Sequence, residues 1–150
     1  MASNKRTIML LGEPYYNEEG AASEEIKPGH LVDGVTAIAK HATAGGACPR
    51  AFAVEREELG RGIDDTYKNR AGSAAYAIGD QVKVAVCVPG QHVLAIIASG
   101  QNISANARLE SAGNGTLRIL NSGVIIARAL EAVNNSAGPS DAYIRVEVMP

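Results

Sequence analysis

The chain predicts an all-β fold, and three observations carry that prediction. Apolar residues alternate along short runs instead of recurring at helical spacing. Clusters of Gly, Pro, Asn and Ser break those runs roughly every 8–12 residues. No long amphipathic helical stretch occurs anywhere in the 150 residues. The expected architecture is a compact β-barrel, β-tulip-like, or a sandwich. An extended N-terminal arm, residues 1–25, precedes a β-rich domain over 26–150.

The elements follow in order. Residues 7–11 (TIMLL) are a short strand candidate behind Lys5-Arg6, and GEPYYNEEGAASEE then offers turn formers and acids without periodicity. After the Pro28-Gly29 turn pair, Leu31, Val35, Ala37 and Ala39 share one alternating face. Phe52 and Val54 alternate as a strand would; VEREEL alone suits a helical turn, and Gly60 and Gly62 argue against a long helix. The cleanest strand is QVKVAVCV, with Val82, Val84, Val86 and Val88 on one face and Lys83, Ala85 and Cys87 on the other. Pro89-Gly90 turns the chain and HVLAIIAS returns, so 81–97 reads as two neighbouring antiparallel strands. ARLES and TLRIL flank Gly113-Asn114-Gly115, a second hairpin whose turn residues accept positive φ at little cost. GVIIARALEAVNNS is read as a strand from its β-branched start, and YIRVEVM alternates Tyr143, Arg145 and Glu147 against Ile144, Val146 and Val148.

Composition narrows the function. A chain of this length buries roughly 68–70% of its unfolded surface and folds without a metal or disulfide staple. Hydrophobic residues make up 46%, yet there is no Trp, one Phe and five Tyr, so Val, Ile, Leu and Ala must build the core. A core of small side chains favours further burial between subunits. With a net charge of −2 and no basic run among aromatics, nucleic-acid binding is not expected. No segment has the length of a secretory core or a membrane span, so the expected location is the cytosol, with no membrane contact. Cys48 and Cys87 are expected as free thiols there. Asn102, Asn114 and Asn134 open glycan-like triplets but read as turn residues.

The search for chemistry comes back empty. His30, His41 and His92 lack ligand spacing, and neither cysteine lies in a Cys-x-x-Cys pair, so no metal is expected. The acid pairs Glu18-Glu19, Glu24-Glu25, Glu57-Glu58 and Asp64-Asp65 read as solvated faces. TAGGACPR and SAGNGTLR lack the Gly-Lys-Ser/Thr of a phosphate loop and read as hairpins. No nucleophile elbow or Cys–His pairing marks a catalytic site. The chain is expected to be no enzyme and to carry no cofactor.

HATAGG (41–46), AFAVEREELGRGIDDTY (51–67), GDQVKVAVCVPGQHVLAIIASGQN (79–102), LESAGNGTLRI (109–119) and ARALEAVNNS (127–136) together resemble a family of tailed-phage head proteins, the capsid decoration or cement proteins. KNRAGSAAYAI (68–78) departs from the pattern by its length. The resemblance implies a small β-rich protein on the outside of the expanded head, often a trimer, that stabilises the shell. The implied partners are the major capsid protein and two further copies of the chain; the implied location is the virion exterior, with the host cytoplasm during assembly. The arm then becomes the candidate contact, Lys5 and Arg6 meeting capsid acids while Ile8 and Leu10 enter pockets. A carbohydrate- or receptor-binding β module, such as a head fibre or lectin-like domain, is the alternative. The absence of Trp and scarcity of Tyr disfavour it.

Overall fold

Alternating apolar runs hide one face each, and the longest of them line a closed barrel. The computed structural model describes residues 8–55, 75–138 and 142–150, and its elements there are all strands. Numbered in chain order, β8 (His92–Ile97), β11 (Leu117–Ile119), β10 (Arg108–Ser111), β12 (Ala127–Ala129) and β14 (Ala142–Val148) pair in that sequence, and β14 returns to β8. The ring is antiparallel except where β11 runs parallel to β8 at Leu117↔Ile97. The fold is all-β, as expected, and the barrel alternative is the one observed.

Three smaller sheets surround the ring. β1 (Met9–Leu11) hangs on β8 through Met9↔Val93 and Leu11↔His92, with a bulge between them. β2 (Tyr15–Asn17), β7 (Val84–Val86) and β6 (Ala51–Ala53) form one sheet; β3 (Ala21–Ala22), β5 (Ala37–Lys40) and β4 (Val32–Asp33) form another. β9 (Asn102–Ile103) and β13 (Val133–Asn134) pair alone.

β6 and β7 form a wall between two cores. Phe52, Val54, Ala85 and Cys87 face the larger core with Val93, Leu109, Leu117, Ile144 and Val146. Their neighbours Ala51, Ala53, Val82 and Val84 face a smaller core with Ile26, Val32, Ile38 and Tyr76. A strand buried on both faces needs an unbroken apolar run, and AFAV and VAVCV are such runs. The wall is tied across by Tyr76, whose hydroxyl donates to the Val54 carbonyl at 2.5 Å.

Four strand readings change, and one is 123–136, which is not a single strand but β12 (Ala127–Ala129) in the barrel and β13 (Val133–Asn134) paired with β9. Residues 81–88 and 92–97 are sequence neighbours but not paired partners: β7 joins β2 and β6, while β8 joins β14, β1 and β11. The Pro89-Gly90 turn passes the chain from one sheet to another, and alternation reports faces without reporting partners. The face of Leu31, Val35, Ala37 and Ala39 is also broken. Asp33-Gly34 turns the chain into a hairpin pairing Val32↔Lys40, which points Ile38 inward and leaves Val35 exposed. Gly34 has φ 101°, and a Cβ there would lie 2.0 Å from the Ala37 carbonyl oxygen. Finally, 43–50 is a crossing between sheets and not a hairpin, because β5 and β6 have no pairing with each other.

The Gly113-Asn114-Gly115 hairpin forms as expected, with Leu109↔Ile119 and Ser111↔Leu117 in register. So does the alternation of β14, whose Ile144, Val146 and Val148 are buried.

Candidate functional site

The expected arm divides by burial. Lys5 and Arg6 lie outside the described residues. Ile8 is fully buried in the larger core, its N–H donating to Glu55 Oε2 at 3.1 Å and its carbonyl accepting from Leu94 N–H at 2.8 Å. It fills the chain's own core and is not offered to an outside pocket. Leu10 is 39% exposed, turned outward by the bulge in β1. From there the described part of 1–25 is strand-paired to three different sheets, through β1, β2 and β3. A run without periodicity of its own borrowed its order from neighbours distant in sequence.

Titratable side chains serve the framework. Among the described residues no group of three His, Cys, Asp or Glu is placed to hold a metal. His30 accepts from the Lys27 N–H at Nδ1 (3.0 Å), and burial, with Lys40 and Lys27 nearby, lowers its pKa to about 4. His41 Nδ1 and Ser111 Oγ share a buried hydrogen bond of 2.7 Å. Ser111 is fully buried, so its hydroxyl lacks the access a nucleophile needs, while His41 reaches the lining of a pocket beside Lys40 and Thr43. Burial pushes the Cys87 thiol up to about 12 and the Cys48 thiol up to about 11, and both are free. Such thiols are poor nucleophiles.

Glu110 is the buried charge that sequence reading missed. It accepts from Arg118 Nε at 2.8 Å and from the Gly123 N–H at 2.7 Å. These donors hold its carboxyl below the usual range in spite of burial. It stands on the outer side of β10, where the loops carrying Gly45 and Gly123 cover it. Of the expected acid pairs, Glu18-Glu19 is exposed and Glu24 bridges to Lys40 at 3.5 Å. Glu57-Glu58 and Asp64-Asp65 lie outside the described residues. Asn134 Oδ1 accepts from the Ser136 N–H at 3.0 Å at a turn, but Asn102 and Asn134, both expected in turns, are strand partners in β9 and β13.

What the surface does offer is contact. β2 is the outer strand of its sheet, and Tyr15 beside Val86 is 78% exposed. Val86 and Val88 continue the buried face of Val82 and Val84 past the end of the smaller core, and Leu11, 54% exposed, precedes Tyr15 on the chain. Tyr16 carries Lys83 over its ring at 4.6 Å; partial burial, then Glu55, Cys87 and Glu13, raises its hydroxyl pKa. An outer strand with exposed aromatics is a template for pairing and packing.

No family model matches the chain, and no curated protein matches it in sequence. Among solved structures it is similar to the crystal structure of the head fiber gp8.5 N base in bacteriophage phi29, with a TM-score of 0.53 at 11% identity. The match covers 89% of this chain and 91% of that one. At that identity the likeness is one of fold.

Proposed function

We propose that this chain is a non-catalytic structural protein of a phage head, bound to the outside of the shell as a trimer and bracing it against rupture. The observation that carries the reading is the whole-length fold likeness to a head fiber base. The resemblance of 41–46, 79–102 and 109–119 to capsid decoration proteins supports the same class. Its partners are the major capsid protein and further copies of itself, and its place is the virion exterior after assembly in the host cytoplasm. A trimer touching neighbouring capsid subunits gains from effective concentration what each contact lacks.

A second reading shares the attachment and differs in the task. In it the chain is the base of a head fibre, as the solved relative is by its description. The exposed Tyr15 edge then meets the rest of the fibre. Expanded heads lacking the protein separate the two readings. Added chain should co-sediment with them and raise the temperature at which they release DNA. Co-sedimentation without stabilisation favours the fibre base, and no co-sedimentation overturns both. The contact proposed for Lys5, Arg6 and Leu10 is tested in the same assay with Lys5→Glu, Arg6→Glu and Leu10→Asp variants.

A further inference from the structure

Two exposed surfaces of this chain are complementary in chemistry. The first is the β2 edge, where Leu11, Tyr15, Val86 and Val88 are exposed apolar groups and Glu13 lies two residues before Tyr15. Glu18 and Glu19 follow the strand, both exposed. Beyond β2 no further strand is paired among the described residues.

The second surface is on the barrel wall. Arg108 on β10 and Arg128 on β12 are register partners, so two like charges stand directly opposite one another. Arg128 is satisfied by Glu147 and by Asn106 Oδ1. Arg108 is exposed and has no acceptor among the described residues. Facing like charges destabilise a sheet unless an anion covers them. A guanidinium also stacks on aromatic rings and bonds carboxylates in a fixed fork. Tyr15 is 78% exposed and Arg108 is exposed, so neither surface is covered by the other within one chain.

We propose that copies of this chain associate head to tail, the Tyr15 edge of one seated on the Arg108–Arg128 wall of the next. An edge-to-edge two-fold contact centred on β2 would set Glu13 of each copy against Glu19 of the other, and these repel. The head-to-tail contact instead brings Glu13, Glu19 and an aromatic ring to an arginine without an acceptor among the described residues. Contacts of this kind close into a ring when the rotation permits. The inference rests on the self-association in the proposed function and not on head attachment.

The test is sedimentation of the full chain at low salt, at about 100 µM, where even weak specific contacts are populated. The wild type should be associated and should dissociate as salt rises. Arg108→Glu and Tyr15→Ala should each weaken association by about tenfold or more. Both side chains are exposed, so the variants should melt with the wild type, and Arg108→Gln provides a milder check. Mixed in equal amounts, Arg108→Glu and Tyr15→Ala each keep one intact surface and should form two-chain species and nothing larger. Adding Glu13→Arg to Arg108→Glu in one chain should restore part of the lost association. A monomeric wild type, variants that associate normally, or a mixture that stays monomeric would each overturn the proposal. Head co-sedimentation of the wild type is measured separately, so a failure of head attachment is read apart from a failure of this contact.

Discussion

The barrel and the sheets beside it handle the same problem differently. In the ring of β8, β11, β10, β12 and β14 every strand has two paired neighbours, so no backbone edge remains. In the sheet of β2, β7 and β6 the outer strand has no further partner among the described residues, and the valine face of β7 passes from core into solvent between Val84 and Val86. Closure yields a body that presents only side chains. The open sheet presents backbone, aromatic rings and acids together. On the function proposed above, the ring supplies rigidity and the adjoining sheets supply contact.

The largest expected effect comes from cutting the two apart. Deleting residues 1–12 removes the buried Ile8 and the β1 ladder, and should cost about 4–6 kcal/mol by adding a lost core side chain to lost hydrogen bonds. Urea denaturation measures this; unchanged stability would show that the ring needs nothing from its N-terminal strap. Next come core truncations. Leu109→Ala inside the closed ring should cost about 3–5 kcal/mol, and Ile38→Ala in the smaller core about 2–3, because open sheets collapse more readily around a cavity. Equal losses would erase the distinction between the two cores.

Acid should loosen the adjoining sheets through His30. Its folded pKa of about 4 lies below the ordinary 6.5, so the folded state disfavours the proton that the unfolded chain accepts. The stability this withholds is fully present above pH 6.5 and declines as pH falls toward 4, by about 3 kcal/mol in all. Denaturation midpoints across that window should follow this slope, and His30→Asn should flatten it. Smallest is the effect of Val86→Ser on the exposed continuation of the valine face, within about 0.5 kcal/mol. A large loss there would mean that Val86 is covered within the single chain.

Legibility followed locality. The Gly113-Asn114-Gly115 hairpin and the alternation of β14 were readable because each is decided by a few adjacent residues. The pairing of β7 and β8 was not, since Pro89-Gly90 announces a turn without naming the strand on its far side. Asp33-Gly34 was a hairpin signal overlooked in favour of a longer alternating face. The two-sided wall was present as AFAV and VAVCV, yet an apolar run does not say which core owns which residue. Of the candidate contact residues, Ile8 looked available because a short strand behind two basic residues gives no hint of what will cover it. Tyr15 went unnoticed for the opposite reason: exposure is a property of the neighbours, and its neighbour Val86 lies far along the chain.

The order in which the barrel's strands emerge has a kinetic meaning. β8 is complete at Ile97, but its long partner β14 begins only at Ala142. During synthesis at roughly 5–20 residues per second, the apolar edge His92–Ile97 waits several seconds for the strand that closes the ring. Pairings so distant in sequence are slow to form. The nascent chain therefore passes through a stage with an open, hydrophobic strand, and crowding of unfinished chains at that stage is the point at which production of this protein is most exposed to aggregation.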